Sequence, residues 1–370
     1  MQYSWRVYIA VAASFALNVA VVKGQSRSPI AAVPVDPIRR ILDAFQTFPL
    51  VALGEGSYGN QQFHRFRLAL IRDPRFAAAV NDIFVESGSA KYQAVMDRFV
   101  SGEDVPYELL QRAWQDTTQP EPIWDLPIYE EFFRAVRDVN ASLPRERRLR
   151  VLVGDPPVDW DSVGTLQDLD QAGDRNTYAI DVIRREVLER HRRALVVYGD
   201  DHLARKSRAL AGDEWAVNIV GQIEKAGLAR VFAIHSETRL DLATVQADVS
   251  SWPKPSLADL LSIKIGAIDF EPSARFRPRR LEELFDAVLY LGPPSEITFA
   301  TLSRALCQNP VYVEKRLKRL TLLPAPPRQA PAGTLGPLDR FKREYDISSP
   351  VVRKNSVRAP VCRHVTSRNV

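Results

Sequence analysis

The chain has 370 residues, 45% of them hydrophobic and 26% charged, a composition ordinary for a globular protein with a sizeable core. Its net charge of +5 is concentrated at one end: residues 313–370 carry 13 Lys or Arg against 4 Asp or Glu, and the other 312 residues carry 37 against 41. The body is therefore slightly acidic, which removes the electrostatic basis for nucleic-acid binding, and two cysteines, Cys307 and Cys362, exclude a disulfide framework or a cysteine zinc site.

In chain order, Arg6 precedes an apolar run over residues 7–22, followed by small and polar residues. This is a secretory pattern, which predicts an exported, periplasmic or secreted protein. Contact with a membrane is expected only through this segment if it stays uncleaved. Residues 25–45 form a linker and a short amphipathic helix, PIRRILDAF. Short apolar runs then recur at 50–54, 83–85, 149–153, 194–198, 231–234 and 287–291. Such β-branched runs suit strands buried on both faces. Helical patterns lie between them, at 60–71, 92–99, 107–114, 128–142, 176–192, 214–226 and 281–285. Two terminal helices are expected at 296–306 and 310–320.

The expected fold is α/β, with a mostly parallel central sheet, helices on both faces and a helical insertion. One domain spans 46–320, with the insertion at 91–140 packing on the sheet edge or capping a pocket. A disordered, basic, Pro-rich tail is expected over 321–370.

The strand ends carry the chemistry. The first run ends in Glu55, the second in Glu86, the third in Asp155, and the fourth in Asp200, Asp201 and His202. In an open parallel sheet, ligands bind beyond these carboxyl ends. Acids gathered there repel one another unless a cation, a proton or an arginine intervenes, and Arg67 is the candidate partner. Such a cluster can raise one carboxyl pKa to make a general acid or base. His202 with Glu55, Glu86 and Asp155 or Asp200 also has the donor types for a divalent ion. His64 lies on the helix leaving the first strand.

The loop GEGSYG, residues 54–59, fits the dinucleotide pattern G-x-G-x-x-G. Glu55, however, puts a negative charge where pyrophosphate would bind. Ser57 does not meet the G-x-S-x-G nucleophile pattern.

Three stretches, LGEGSYGNQQFHRFRLALI, FVESG and ALVVYGDDHLAR, resemble the motifs of the erythromycin esterase-like family, part of a wider set with ChaN-like haem-binding and Tiki-like proteins. The resemblance implies that Glu55 matches the first-loop catalytic glutamate, Arg67 the arginine twelve residues on, Glu86 the second-strand glutamate and His202 the last histidine of the later motif. It implies ester hydrolysis by activated water without a covalent serine, and metal assistance by analogy with the Tiki-like members. Two positions depart. Tyr58 stands where the family has its first-loop histidine, and the first histidine of the later pair appears as Asp200 or a one-residue gap. A tyrosine of ordinary pKa is a poor base, so either His64 or His202 takes that role, or the chemistry differs, or hydrolysis is lost. The competing expectation is a binding protein for haem or another small ligand, with Tyr58 or His64 as contact.

Overall fold

A computed structural model describes residues 30–205, 218–237, 246–270, 278–324 and 334–344. The expected secretory segment lies outside these residues, as does most of the tail. Among the described residues no helix is long and apolar enough to cross a membrane.

The strands are β1 (Leu50–Gly54), β2 (Asp82–Ser89), β3 (Arg150–Asp155), β4 (Ala194–Tyr198), β5 (Val231–Glu237) and β6 (Ser256–Asp259), then a two-residue ribbon pair, β7 (Asp269–Phe270) and β8 (Arg279–Arg280), and finally β9 (Ala287–Tyr290). Seven of them form one sheet in the order β3-β2-β4-β1-β5-β9-β6, parallel except for β6 against β9. Strand β1 is central: the chain moves to one side of it after β1 and to the other after β4.

Every residue of β1 and β4 is buried, as their unbroken apolar sequences require of strands covered on both faces. One core layer packs Phe63, Phe66, Phe132 and Phe133 over one face of the sheet, and a second packs Ile183, Ile219, Ile223 and Leu284 over the other.

The structure departs from the sequence expectation in several elements. Residues 107–114 form two short helices, Tyr107–Leu110 and Arg112–Gln115. The expected 296–306 helix is reduced to Arg304–Cys307 and a single 3₁₀ turn, Pro294–Glu296. Between them the backbone is extended and docks on the first loop: Gln61 N–H donates to Thr298 O at 2.9 Å and Ala300 N–H to Gly59 O at 2.8 Å. Long-range backbone pairing there wins over local helical preference. The antiparallel edge strand β6 has no counterpart in the sequence reading; it is four residues long and follows a Pro-Lys-Pro stretch. Within the expected tail, Pro337–Glu344 is helical, and Phe341 packs with Tyr312, Val313 and Leu320.

Candidate functional site

The sheet register brings the acidic strand ends together. Gly54 pairs with Tyr198, Val85 with Val197, and Ser89 with Asp155. Asp155, Glu86, Asp200 and Glu55 thus lie along one carboxyl edge, and all four are buried, at 1–2% exposure. Burying that much negative charge requires compensating groups.

Glu55 is fixed by its backbone N–H, which donates to Tyr198 O at 2.8 Å. Arg67 Nη1 approaches Glu55 Oε1 at 3.5 Å, and the Tyr129 hydroxyl bonds the same carboxyl while accepting from Gly59 N–H at 3.3 Å. Burial pushes the Glu55 carboxyl up to about 7, against the lowering by Arg67 and Tyr129 and with help from Glu86 and Asp200.

Arg67 is itself 1% exposed. Its guanidinium stands over the rings of Phe132 and Tyr129 at 4.9 and 5.0 Å and donates to Ile128 O at 3.0 Å. Its Nε–H donates to His64 Nδ1 at 3.2 Å, so His64 carries its proton on Nε2 and donates to Glu131 at 2.9 Å. Burial, and then Arg67, Arg72 and Arg65, press His64 down to about 3. It is a neutral buried link between helices, with both nitrogens engaged.

Glu86 has the opposite environment. Arg175 Nη2 donates to Oε1 at 2.8 Å and Gly199 N–H to Oε2 at 2.9 Å. His202 Nε2 lies 3.4 Å from Oε1, and the Tyr58 hydroxyl donates at 3.1 Å to Oε2. Burial alone would raise this carboxyl; His202, Arg175 and the Gly199 N–H outweigh it and hold Glu86 down to about 2. Burial and Glu86 push the Tyr58 phenol well above its ordinary value, so Tyr58 is a fixed donor and not a base. Position 199 must be glycine for this contact, because a Cβ there would lie 2.4 Å from the Tyr58 hydroxyl.

Asn176 Oδ1 lies 2.5 Å from His202 Nδ1 and holds the proton there. That leaves Nε2 turned toward Glu86. Arg175 also approaches Asp155, with Nε 3.0 Å from Oδ1. Asp155 accepts from Thr118 N–H at 2.5 Å and Thr118 Oγ1–H at 2.7 Å, and burial raises its carboxyl.

Asp200 turns toward β1. Its Oδ2 accepts from Gly56 N–H at 2.7 Å, and its Oδ1 meets His235 Nδ1 at 2.8 Å and Ser236 N–H at 3.2 Å. A carboxylate thus occupies the glycine loop where a dinucleotide phosphate would sit.

The structure therefore joins Glu55 to Arg67, and His202 to Glu86; it places His64 behind Arg67. The residues that sequence reasoning did not single out are Arg175, Asn176, Thr118 and Tyr129. Arg175 and Asn176 had a legible signal: Asp174 caps the helix Arg175–Ile183, whose side chain accepts from Thr177 N–H. The first turn of a helix that follows a parallel strand lies at the carboxyl edge.

The donor set does not suit a divalent ion. Among the described residues no three His, Cys, Asp or Glu side chains are placed to hold one. Arginines stand where a cation would: Arg175 between Glu86 and Asp155, and Arg67 against Glu55. Haem fits no better through the expected contacts, since both His64 nitrogens and the Tyr58 hydroxyl are already engaged.

No protein-family model matches the sequence, and no curated protein matches it significantly. Solved structures are similar to it in fold. A succinoglycan biosynthesis protein matches with a TM-score of 0.54 at 11% identity, over 74% of this chain and 96% of that one. A mutant of the erythromycin esterase EreC in its open conformation matches with a TM-score of 0.48 at 13% identity, over 72% and 94%. The haem-binding ChaN of Campylobacter jejuni matches with a TM-score of 0.36 at 13% identity, over 56% and 89%. The match to the succinoglycan biosynthesis protein supports the fold alone.

Proposed function

We propose that the chain is an exported hydrolase acting on ester bonds, with Glu55 as its proton-transfer group. One observation carries the reading: two buried carboxyl groups of one cluster have opposite surroundings, Glu55 with a single cation at 3.5 Å and Glu86 held by Arg175, the Gly199 N–H, Tyr58 and His202, which drives the first up and the second down. Opposed displacement of this kind divides acid–base work from electrostatic work.

Glu55 in its carboxylate form takes a proton from water as the oxygen attacks the ester carbonyl. Arg175, partly exposed beside Glu86, answers the charge that develops on the carbonyl oxygen. His202 Nε2–H gives its proton to the departing alkoxide. The Glu55 proton then returns to His202 through solvent, and the net change is one water consumed for one acid and one alcohol released. Glu86 remains ionised throughout and holds Arg175 and His202 in place. The substrate is a small-molecule ester; export follows from the apolar run at 7–22.

The test is hydrolysis by the full chain of a panel of p-nitrophenyl esters and macrolactones. Glu55→Gln and His202→Ala are each expected to lower the rate roughly 10²- to 10⁴-fold. An inactive wild-type protein, or a Glu55→Gln variant of undiminished rate, overturns the assignment. A Soret band on haem titration of an inactive protein would move the reading to a ligand-binding role. Recovery of the chain from the cytosol with residues 1–24 intact would count against export.

A further inference from the structure

We propose that the helix Pro310–Leu320 is a strut that positions the Glu55 carboxyl from a distance, with Arg316 and Arg319 as its positioning residues. The inference rests on the reading of Glu55 as the proton-transfer group.

The helix turns Tyr312, Arg316 and Arg319 inward, each no more than 5% exposed. Arg316 also stands over the Tyr312 ring at 5.8 Å. All three grip one segment of the insertion, between Gln115 and Asp125. Arg319 donates to Gln115 O at 2.6 Å and to Asp116 Oδ1 at 2.5 Å. Arg316 donates to Gln115 O at 2.9 Å, to Pro120 O at 3.3 Å and to Asp125 Oδ1 at 2.6 Å. Tyr312 donates to Asp125 Oδ2 at 2.5 Å. Residues 116–121 have no helix or strand of their own. Their backbone carbonyls need partners from outside, and the guanidinium forks supply them.

The other side of the same segment faces the strand ends. Thr118 holds Asp155. The Trp124 ring meets Tyr58 at 4.9 Å and Tyr129 at 5.0 Å, both edge-on. Two residues after Asp125 begins the helix Pro127–Ala141, which carries Tyr129 to Glu55. The strut therefore reaches Glu55 through Asp125, Trp124 and Tyr129. Buried ion pairs of this kind contribute little net stability over an apolar replacement, and their attested use is to specify one arrangement.

If the insertion loosens, water reaches a carboxyl whose pKa is raised chiefly by burial. The groups that face Glu55 are Arg67 from the helix Gln61–Arg72, Tyr129 from the insertion, Glu86 from β2 and Asp200 after β4. Tyr129 moves with the strut, and Arg67 is tied to the same helix through Ile128 O and the rings of Tyr129 and Phe132.

The test follows the Glu55 carboxyl by NMR across pH in the full chain carrying ¹³C-labelled glutamate, with Glu55→Gln assigning the signal. Arg316→Met is expected to lower the Glu55 midpoint by about one unit or more. Tyr129→Phe, which leaves the strut intact but removes a hydrogen bond to the carboxylate, is expected to raise it. Arg316→Met/Asp125→Leu removes both charges, so no lone ion stays buried, and keeps the test open if the single variant does not fold. It is expected to lower the midpoint as well. A folded Arg316 variant with an unmoved midpoint overturns the proposal, and a Tyr129→Phe midpoint at or below wild type overturns the link through Tyr129. The measurement uses no substrate, so a failure to find ester hydrolysis and a failure of the strut are separate results.

Discussion

Two buried charge clusters lie on either side of the insertion, and they use the same side-chain types in different proportions. Beneath the strut, Asp116 meets Arg319, Lys315 and Arg112, and Asp125 meets Arg316. Cations outnumber acids. Burial works against ionisation of Asp116, but Arg319 and Lys315 outweigh it and hold the carboxyl well below the usual range. At the strand ends the balance is reversed: Glu55, Glu86, Asp155 and Asp200 share two arginines, Arg67 and Arg175, with His202 and His235 beside them. Glu86 takes most of the compensation, and Glu55 is left near neutrality, where a proton moves easily. In each cluster one carboxyl takes most of the cations and is held down, Asp116 beneath the strut and Glu86 at the strand ends, while burial raises Asp125 in the first and Glu55 and Asp155 in the second.

The comparison breaks most visibly beneath the strut. Arg316→Met leaves Asp125 buried without its cation and is expected to cost about 3–5 kcal/mol in urea unfolding, most of it recovered in Arg316→Met/Asp125→Leu. A single variant as stable as wild type would refute this.

The strand-end cluster shows itself in pH dependence. Glu55 has a folded value of about 7 against an ordinary 4.5, so the folded chain binds its proton more tightly. Its contribution to stability is fully present below about pH 4.5 and is lost as pH rises toward 7, a change of a few kcal/mol at most. Glu86, held near 2, contributes in the other sense: its stabilisation is present above pH 4.5 and lost as pH falls through 2. Wild type minus Glu55→Gln, measured by unfolding at a series of pH values, should isolate the first trend; a flat difference between pH 4.5 and 7 would refute it.

A smaller effect is expected at Gly54. A Cβ there would lie 2.0 Å from Asp200 Oδ1, and that carboxylate is pinned by Gly56, His235 and Ser236. Gly54→Ala should therefore cost roughly 1–3 kcal/mol on thermal or urea unfolding. The smallest change is expected at Tyr58→Phe, which removes one of several donors to Glu86 and should cost about 1 kcal/mol. Parity of Tyr58→Phe with Gly54→Ala would mean that Glu86 is less fully compensated than its contacts imply.

Much of this was legible in the chain. The runs 50–54 and 194–198 read as buried strands because unbroken apolar, β-branched sequence has no other economical place, and both form with those bounds. The acids that end the runs had to lie at the carboxyl edge once the strands were parallel. The helix expected at 310–320 forms over those residues, with the Asn309 side chain capping it and Pro310 in its first turn. The segment 296–303 was misread because its backbone partners are Gly59 and Gln61, more than two hundred residues away.

Local order, and which residues meet the carboxyl edge, were thus determined by the sequence itself, because periodicity and capping act between near neighbours. The pairing of charges was decided only in three dimensions. Nothing local tells Arg67 from Arg175, yet one is sealed among aromatic rings against Glu55 and the other bridges Glu86 and Asp155. Nor does the Pro310–Leu320 sequence say that its arginines grip residues 115–125, two hundred positions back. Burial sets the energy of a charge, and burial belongs to the packed whole: Glu55 and Glu86 are the same residue type at equivalent strand ends, and only their neighbours in the fold drive one up and the other down.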